Sequence, residues 1–170
     1  FYYVVNPYEH KITNYDKDLS NMTNKYFNQK KSDPKILSRA FYKLWEILFV
    51  FDLASEDKLT YAALAEGPGA FIQAVIKFRE SFYSTKKDRI FGVTIHPEKG
   101  KFIEMGKKFM NYYKEKSPKL LKIHKTYTLE KSLKKDTRDN GDITNVKTIL
   151  NFKKDIIKSK KLASLVTADG

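Results

Sequence analysis

The chain has 170 residues, an ordinary single-domain length, and its 41% hydrophobic and 14% aromatic content is ample for a buried core, while the absence of cysteine excludes disulfides and thiolate metal sites. No apolar run approaches the ~20 residues needed to span a bilayer, and the N-terminal residues lack the pattern of a signal peptide, so an intracellular protein, cytoplasmic or nuclear, with no membrane partner is expected. A formal net charge of +13 favours a polyanionic partner, nucleic acid first, although only four of the 33 basic residues are arginines and a lysine excess equally suits solvated faces.

Residues 1–32 are rich in Tyr, Asn and Lys without periodicity and read as an N-terminal extension draped on the domain formed by residues 33–170. Asp33 and Pro34 form a helix-start signal, and Ile36, Ala40, Leu44, Ile47 and Phe51 share one face of a helix that ends near residue 53. Residues 59–65 read as a buried strand. Residues 71–84 read as a helix with Phe71, Ala74, Val75, Phe78 and Phe82 inward. A second strand over 89–95 and a helix over 99–116 follow, the latter with Phe102, Met105, Phe109 and Tyr113 at helical spacing. Within 119–140, residues 120–128 suit a strand and 130–140 a mobile basic loop. The last elements are a helix near 146–158, with Ile149, Leu150, Ile156 and Ile157 inward, and a buried strand over 162–168.

Strands alternating with helices predict an α/β fold with a mostly parallel sheet and helices on both faces, in which ligands bind beyond the carboxyl ends of the strands. Three polar features map to that rim: the turn Glu66-Gly67-Pro68-Gly69, Asp142 in the turn Gly141-Asp142-Ile143-Thr144, and Asp169 after the last strand. The first turn lacks the three spaced glycines of a dinucleotide fingerprint, and Pro68 removes an amide donor. It suits an uncharged or zwitterionic ligand such as S-adenosylmethionine better than a phosphate, and it also suits an ordinary strand-to-helix turn. His10, His96 and His124 are too scattered for a ligand cluster, so no metal is expected.

The run Ser38-Arg39-Ala40-Phe41-Tyr42-Lys43-Leu44-Trp45-Glu46-Ile47 closely resembles a helix of the FtsJ-like ribose 2′-O-methyltransferases. Glu66-Gly67-Pro68-Gly69-Ala70-Phe71 is similar to their cofactor loop, Gly141-Asp142-Ile143-Thr144 to their adenine-binding turn, and Thr167-Ala168-Asp169-Gly170 to their catalytic Asp motif. Four motifs in order cover residues 38–170, and the messenger-RNA cap methyltransferases of eukaryotes and large DNA viruses are the nearest likeness. The resemblance implies a Rossmann-like S-adenosylmethionine-dependent methyltransferase fold and an RNA partner, the 5′ end of capped mRNA. It implies that Lys43 and Asp169 are catalytic, and that the cofactor contacts Glu66, Gly67, Pro68, Gly69, Ala70, Phe71, Asp142, Ile143 and Asp169, with Asp142 accepting from the adenine amino group. Ala63 stands where some cap enzymes carry an Asp, which leaves Glu66 to meet the cofactor's ammonium end. His96 or Glu98, after the second strand, sits where other folds place a ribose-binding acid.

The chemistry stands apart from the likeness. A ribose hydroxyl is a poor nucleophile at neutral pH, so its methylation needs alignment and a group that manages its proton, which a carboxylate beside an ammonium does. The resembled tetrad has a second Lys and a Glu that are not among these 170 residues, so the domain is expected to be cut after a central strand and to be inactive alone. The other readings are a catalytically silent module that binds RNA or a partner, an rRNA or tRNA methyltransferase, and a nicotinamide oxidoreductase, the last opposed by the missing third glycine.

Overall fold

The computed structural model describes residues 25–27, 30, 32–98, 104–158 and 162–168. Its elements are α1 (Ala40–Val50), β1 (Thr60–Leu64), α2 (Ala70–Phe82), β2 (Arg89–Gly92), α3 (Lys107–Lys116), β3 (Leu121–Ile123), α4 (Leu129–Leu133), α5 (Val146–Ile157) and β4 (Leu165–Ala168). The four strands form one sheet in the order β3-β2-β1-β4 with every pairing parallel. This is the expected α/β architecture. Parallel strands need crossovers, and helices placed on the sheet by those crossovers cover its faces.

Alternation along β1 divides the core. Tyr61 and Ala63 face the cluster containing Phe41 and Leu44 of α1, Ile72, Val75 and Ile76 of α2, and Phe109 and Tyr113 of α3. Ala62 turns the other way, to Phe91, Val93 and Phe152 of α5. Such fully buried side chains each contribute about 1.5–3 kcal/mol. Between α2 and the loops at the amino ends of the strands, Arg79 and Asp88 form an ion pair of 2.8 Å with both side chains fully buried. The guanidinium also donates to the carbonyls of Ala54, Glu56 and Ser84, and Asp88 accepts from the Leu59 amide, so the buried charges are well hydrogen-bonded.

Three helix expectations are corrected. α1 starts at Ala40, not at Pro34: Asp33 accepts instead from the Lys30 amide and the Tyr112 hydroxyl, and buried Gln73 of α2 holds the approaching segment by accepting from Leu37 N and donating to Lys35 O, both at 2.9 Å. Its inward face is Phe41, Leu44 and Leu48, while Ile47 and Phe51 are exposed. α3 begins only at Lys107, because the Gly106 amide is taken by the Pro68 carbonyl; residues 99–103 lie outside the described set. α5 buries Thr148 and Phe152, and leaves Ile149, Leu150 and Ile157 exposed. Part of the segment expected to be a loop over 130–140 is α4, capped by the Thr128 side chain. The strand over 120–128 narrows to Leu121–Ile123, and β4 is only alternately half-buried, Val166 being exposed. Most of the expected N-terminal extension falls outside the described residues; within it, Phe27 packs edge-on against Trp45 at 4.8 Å.

Candidate functional site

The carboxyl ends of β1 and β2 open into a cleft of about 290 Å³. Ala65 and Gly67 line it after β1, Thr94 and Ile95 after β2, and Gly141, Asp142 and Ile143 close it from the loop before α5. The sheet order explains the location. β2 and β3 are added on one side of β1, the chain then returns to place β4 on the other, and crossovers that diverge from one strand leave a crevice at its carboxyl end.

Glu66 is 5% exposed, and its Oε1 accepts from the amides of Phe71 at 2.8 Å and Ile72 at 3.2 Å. A carboxylate therefore already occupies the positive end of α2, where a phosphate would otherwise sit. Gly67 is the member of the turn that lines the cleft. Gly69 has φ of 107°, and a side chain there would meet Met105, Leu37 and Phe109, so its bare backbone serves helix packing. Ala70 and Phe71 are likewise buried in the larger core cluster, and the Pro68 carbonyl accepts from Gly106. Ala63 is fully buried below the rim.

The opposite wall depends on a second glycine. Gly141 has φ of 80°, and a Cβ there would collide with the Thr94 carbonyl and approach Thr126 Cγ2 to 2.6 Å, so its bare backbone lies directly against the exit of β2. The next residue, Asp142, accepts through Oδ1 from both the amide and the hydroxyl of Thr144, at 2.9 and 2.7 Å. Those two bonds hold its carboxyl below the ordinary aspartate value. Ile143 lines the cleft and also packs against the cluster of Ala62, Phe91, Val93 and Phe152. The wall thus offers an ionised acceptor beside aliphatic side chains.

Other sequence candidates fall elsewhere. Glu98 accepts from the Leu129 amide at the start of α4, and His96 Nδ1 lies 3.2 Å from Thr126 Oγ1; neither lines the cleft. Lys43 and Glu46 lie on the exposed side of α1. Asp169 lies outside the described residues; the strand before it pairs Ala168 with Leu64, at the rim. Sequence reading missed Thr94 and Ile95, although their signal was available, since they directly follow a strand on the ligand-binding side of a parallel sheet.

Among the described residues there is no helix long and apolar enough to cross a membrane and no group of three or more His, Cys, Asp or Glu placed to hold a metal ion. Residues 36–170 match the family model of the FtsJ-like methyltransferases. Comparison with curated proteins gave no match.

Proposed function

The chain belongs to the FtsJ-like methyltransferase family, and from that premise we propose that it transfers a methyl group from S-adenosylmethionine to a ribose 2′-hydroxyl of RNA, the 5′ end of capped mRNA being the substrate. The observation that carries this reading is the cleft at the ends of β1 and β2, where Gly67 and Gly141 withhold side chains and Asp142 presents a carboxylate beside Ile95 and Ile143. These residues fit a nucleoside: Asp142 accepts from the adenine amino group, and the two isoleucines flank the ring. Glu66, Pro68, Gly69, Ala70 and Phe71 shape the turn beneath it. With Glu66 on the helix amides, the methionine end gains nothing by presenting an anion there, in keeping with a zwitterionic rather than a phosphorylated ligand.

The bound cofactor supplies an electrophilic sulfonium methyl. Lys43 and Asp169 would manage the hydroxyl proton, a role that rests on the motif likeness. The net charge of +13 suits an RNA partner, since each phosphate neutralised releases counterions. Mass spectrometry of capped and uncapped RNA after incubation with the full protein and labelled methyl donor tests the proposal. One added ribose methyl on capped RNA is expected. S-adenosylhomocysteine binding without methylation of either RNA would replace the enzyme with a silent RNA-binding module.

A further inference from the structure

Between the last turn of α5 and the first residues of β2 and β3 lies a second depression, of about 550 Å³, at the end of the sheet opposite the cleft. Phe91 and Leu121 contribute to its lining, and Arg89, Lys119, Lys122 and Lys158 set four cations around it. Asp155 is the one acid among the described residues that line it. Both of its oxygens are already engaged: Lys122 Nζ lies 2.7 Å from one and His124 Nδ1 2.7 Å from the other.

The remaining three cations have no carboxylate partner among the described residues. Arg89 follows Asp88 in sequence, but the Asp88 carboxylate is taken by Arg79, whose Nε and Nη2 lie 2.8 and 3.0 Å from its oxygens. Arg89 Nη1 donates instead to the Asp88 carbonyl at 2.6 Å, which steadies the guanidinium without neutralising it. Lys119 and Lys158 are exposed. Elsewhere Lys107, Lys116 and Lys134 each meet a glutamate, Glu104, Glu80 and Glu130. Those lysines are matched within their own surface, whereas here three charges stay unmatched around one hollow.

Such a group suits a chain of phosphates. A guanidinium fork matches two phosphate oxygens, lysines add point charges, and each phosphate neutralised releases counterions. A bilayer presents its headgroups in a plane and meets only the rim of a concave site; a single strand lies within it. The depression is also far from the cleft. α5 starts beside the wall formed by Gly141, Asp142 and Ile143 and ends here, and its 12 residues at ~1.5 Å each span ~18 Å. At ~3.4 Å per stacked nucleotide that is about five nucleotides.

We propose that this depression is a second contact for RNA, in which Arg89, Lys119 and Lys158 hold the phosphodiester backbone about five or more nucleotides away from the ribose presented at the cleft. The choice of RNA as the polyanion rests on the methyl-transfer reading. Contacts to phosphates position a strand and carry no sequence information, so this surface contributes affinity that grows with RNA length and falls with salt, whatever the sequence.

The test titrates the full chain with labelled RNAs of about three and about 20 nucleotides over a range of salt concentrations, the shorter being unable to span the distance. Lys119→Ala with Lys158→Ala should bind the long RNA roughly tenfold more weakly at low salt and reduce the slope of log affinity against log salt by about 1.4. Its affinity for the short RNA and for S-adenosylhomocysteine should stay at the wild-type value. Lys131→Ala with Lys135→Ala removes the same charge from exposed positions on and after α4 and should leave the long RNA's affinity nearly unchanged. In the wild-type chain, lysine acetylation at Lys119 and Lys158 should be shielded by the long RNA and not by the short one. An unchanged affinity and slope in the first double variant, or an equal loss in the second, would overturn the proposal. So would vesicles containing phosphatidylserine that bind the wild type but not the first variant, with RNA affinity unchanged. The two readings separate cleanly: length-dependent RNA binding through Lys119 and Lys158 without methylation removes only the transfer reading, and methylation of long RNA with wild-type kcat/KM in the first variant removes only this surface.

Discussion

Asp142 shows how a short sequence fixes the state of a functional group. Its carboxylate receives the Thr144 amide and hydroxyl two residues along, an Asx turn that belongs to the local sequence and holds the group ionised. Asp142→Ala should weaken S-adenosylhomocysteine binding by roughly 1–3 kcal/mol, as calorimetry would measure, if the carboxylate meets a buried amino group. The pH dependence has a definite sign: the folded carboxyl lies below its ordinary value of about 3.9, so its contribution is present above that value and fades as pH falls through the depressed one. Gly141 works through space instead. Gly141→Ala puts a methyl group into the Thr94 carbonyl, so a lower melting temperature and a displaced wall are expected together. Calorimetric scanning and ligand titration of the same sample read both. For Gly69→Val the collision is with Leu37, Met105 and Phe109, so that variant tests folding and says little about the ligand.

At the scale of elements, periodicity located most helices and strands but misjudged which face of α1 and α5 turns inward. In α5, Asn151 and Asp155 face Asp139, His124 and Lys122, and this polar contact rotates Ile149, Leu150 and Ile157 towards solvent. A hydrophobic count assigns apolar residues inward and misses a helix oriented by ion pairs. The start of α1 was misplaced for a similar reason, since the two hydrogen bonds that hold residues 35–37 come from Gln73, on a different helix. Arg79 staples α2 to two loops. Arg79→Met should cost about 3–5 kcal/mol in urea unfolding, because it leaves Asp88 charged and unpaired in a fully buried site. A loss below 1 kcal/mol would show that the pair contributes little.

Across the whole molecule, the chain returns past β1 to add β4, and this places the cleft between loops that are some seventy residues apart in sequence. The same step leaves an apolar surface. Ile149, Ile157, Leu162 and Val166 are about half exposed or more, and they border a groove between α5 and β4. Among the described residues β4 is an edge strand, and an edge beside exposed aliphatic side chains invites association. The chain should therefore self-associate in light scattering as concentration rises. Leu162→Lys with Val166→Lys should shift that onset to higher concentration without changing the unfolding free energy by more than about 1 kcal/mol.

The alternation of β-rich and helical periods determined the α/β class, and four ordered motifs between residues 38 and 170 pointed to the family, because both are written in local runs of residue type. The rim location of Gly67 and Asp142 was legible for the same reason: each lies in a turn defined by its own neighbours. Only the tertiary structure decided that Gly69 serves packing while Gly67 lines the cleft, since the two differ in what lies across space from a missing side chain. It alone brought His124, Asp139, Asn151 and Asp155 together. No spacing rule announces that cluster, because its members come from a strand end, a loop and a helix whose meeting depends on the order of strands in the sheet.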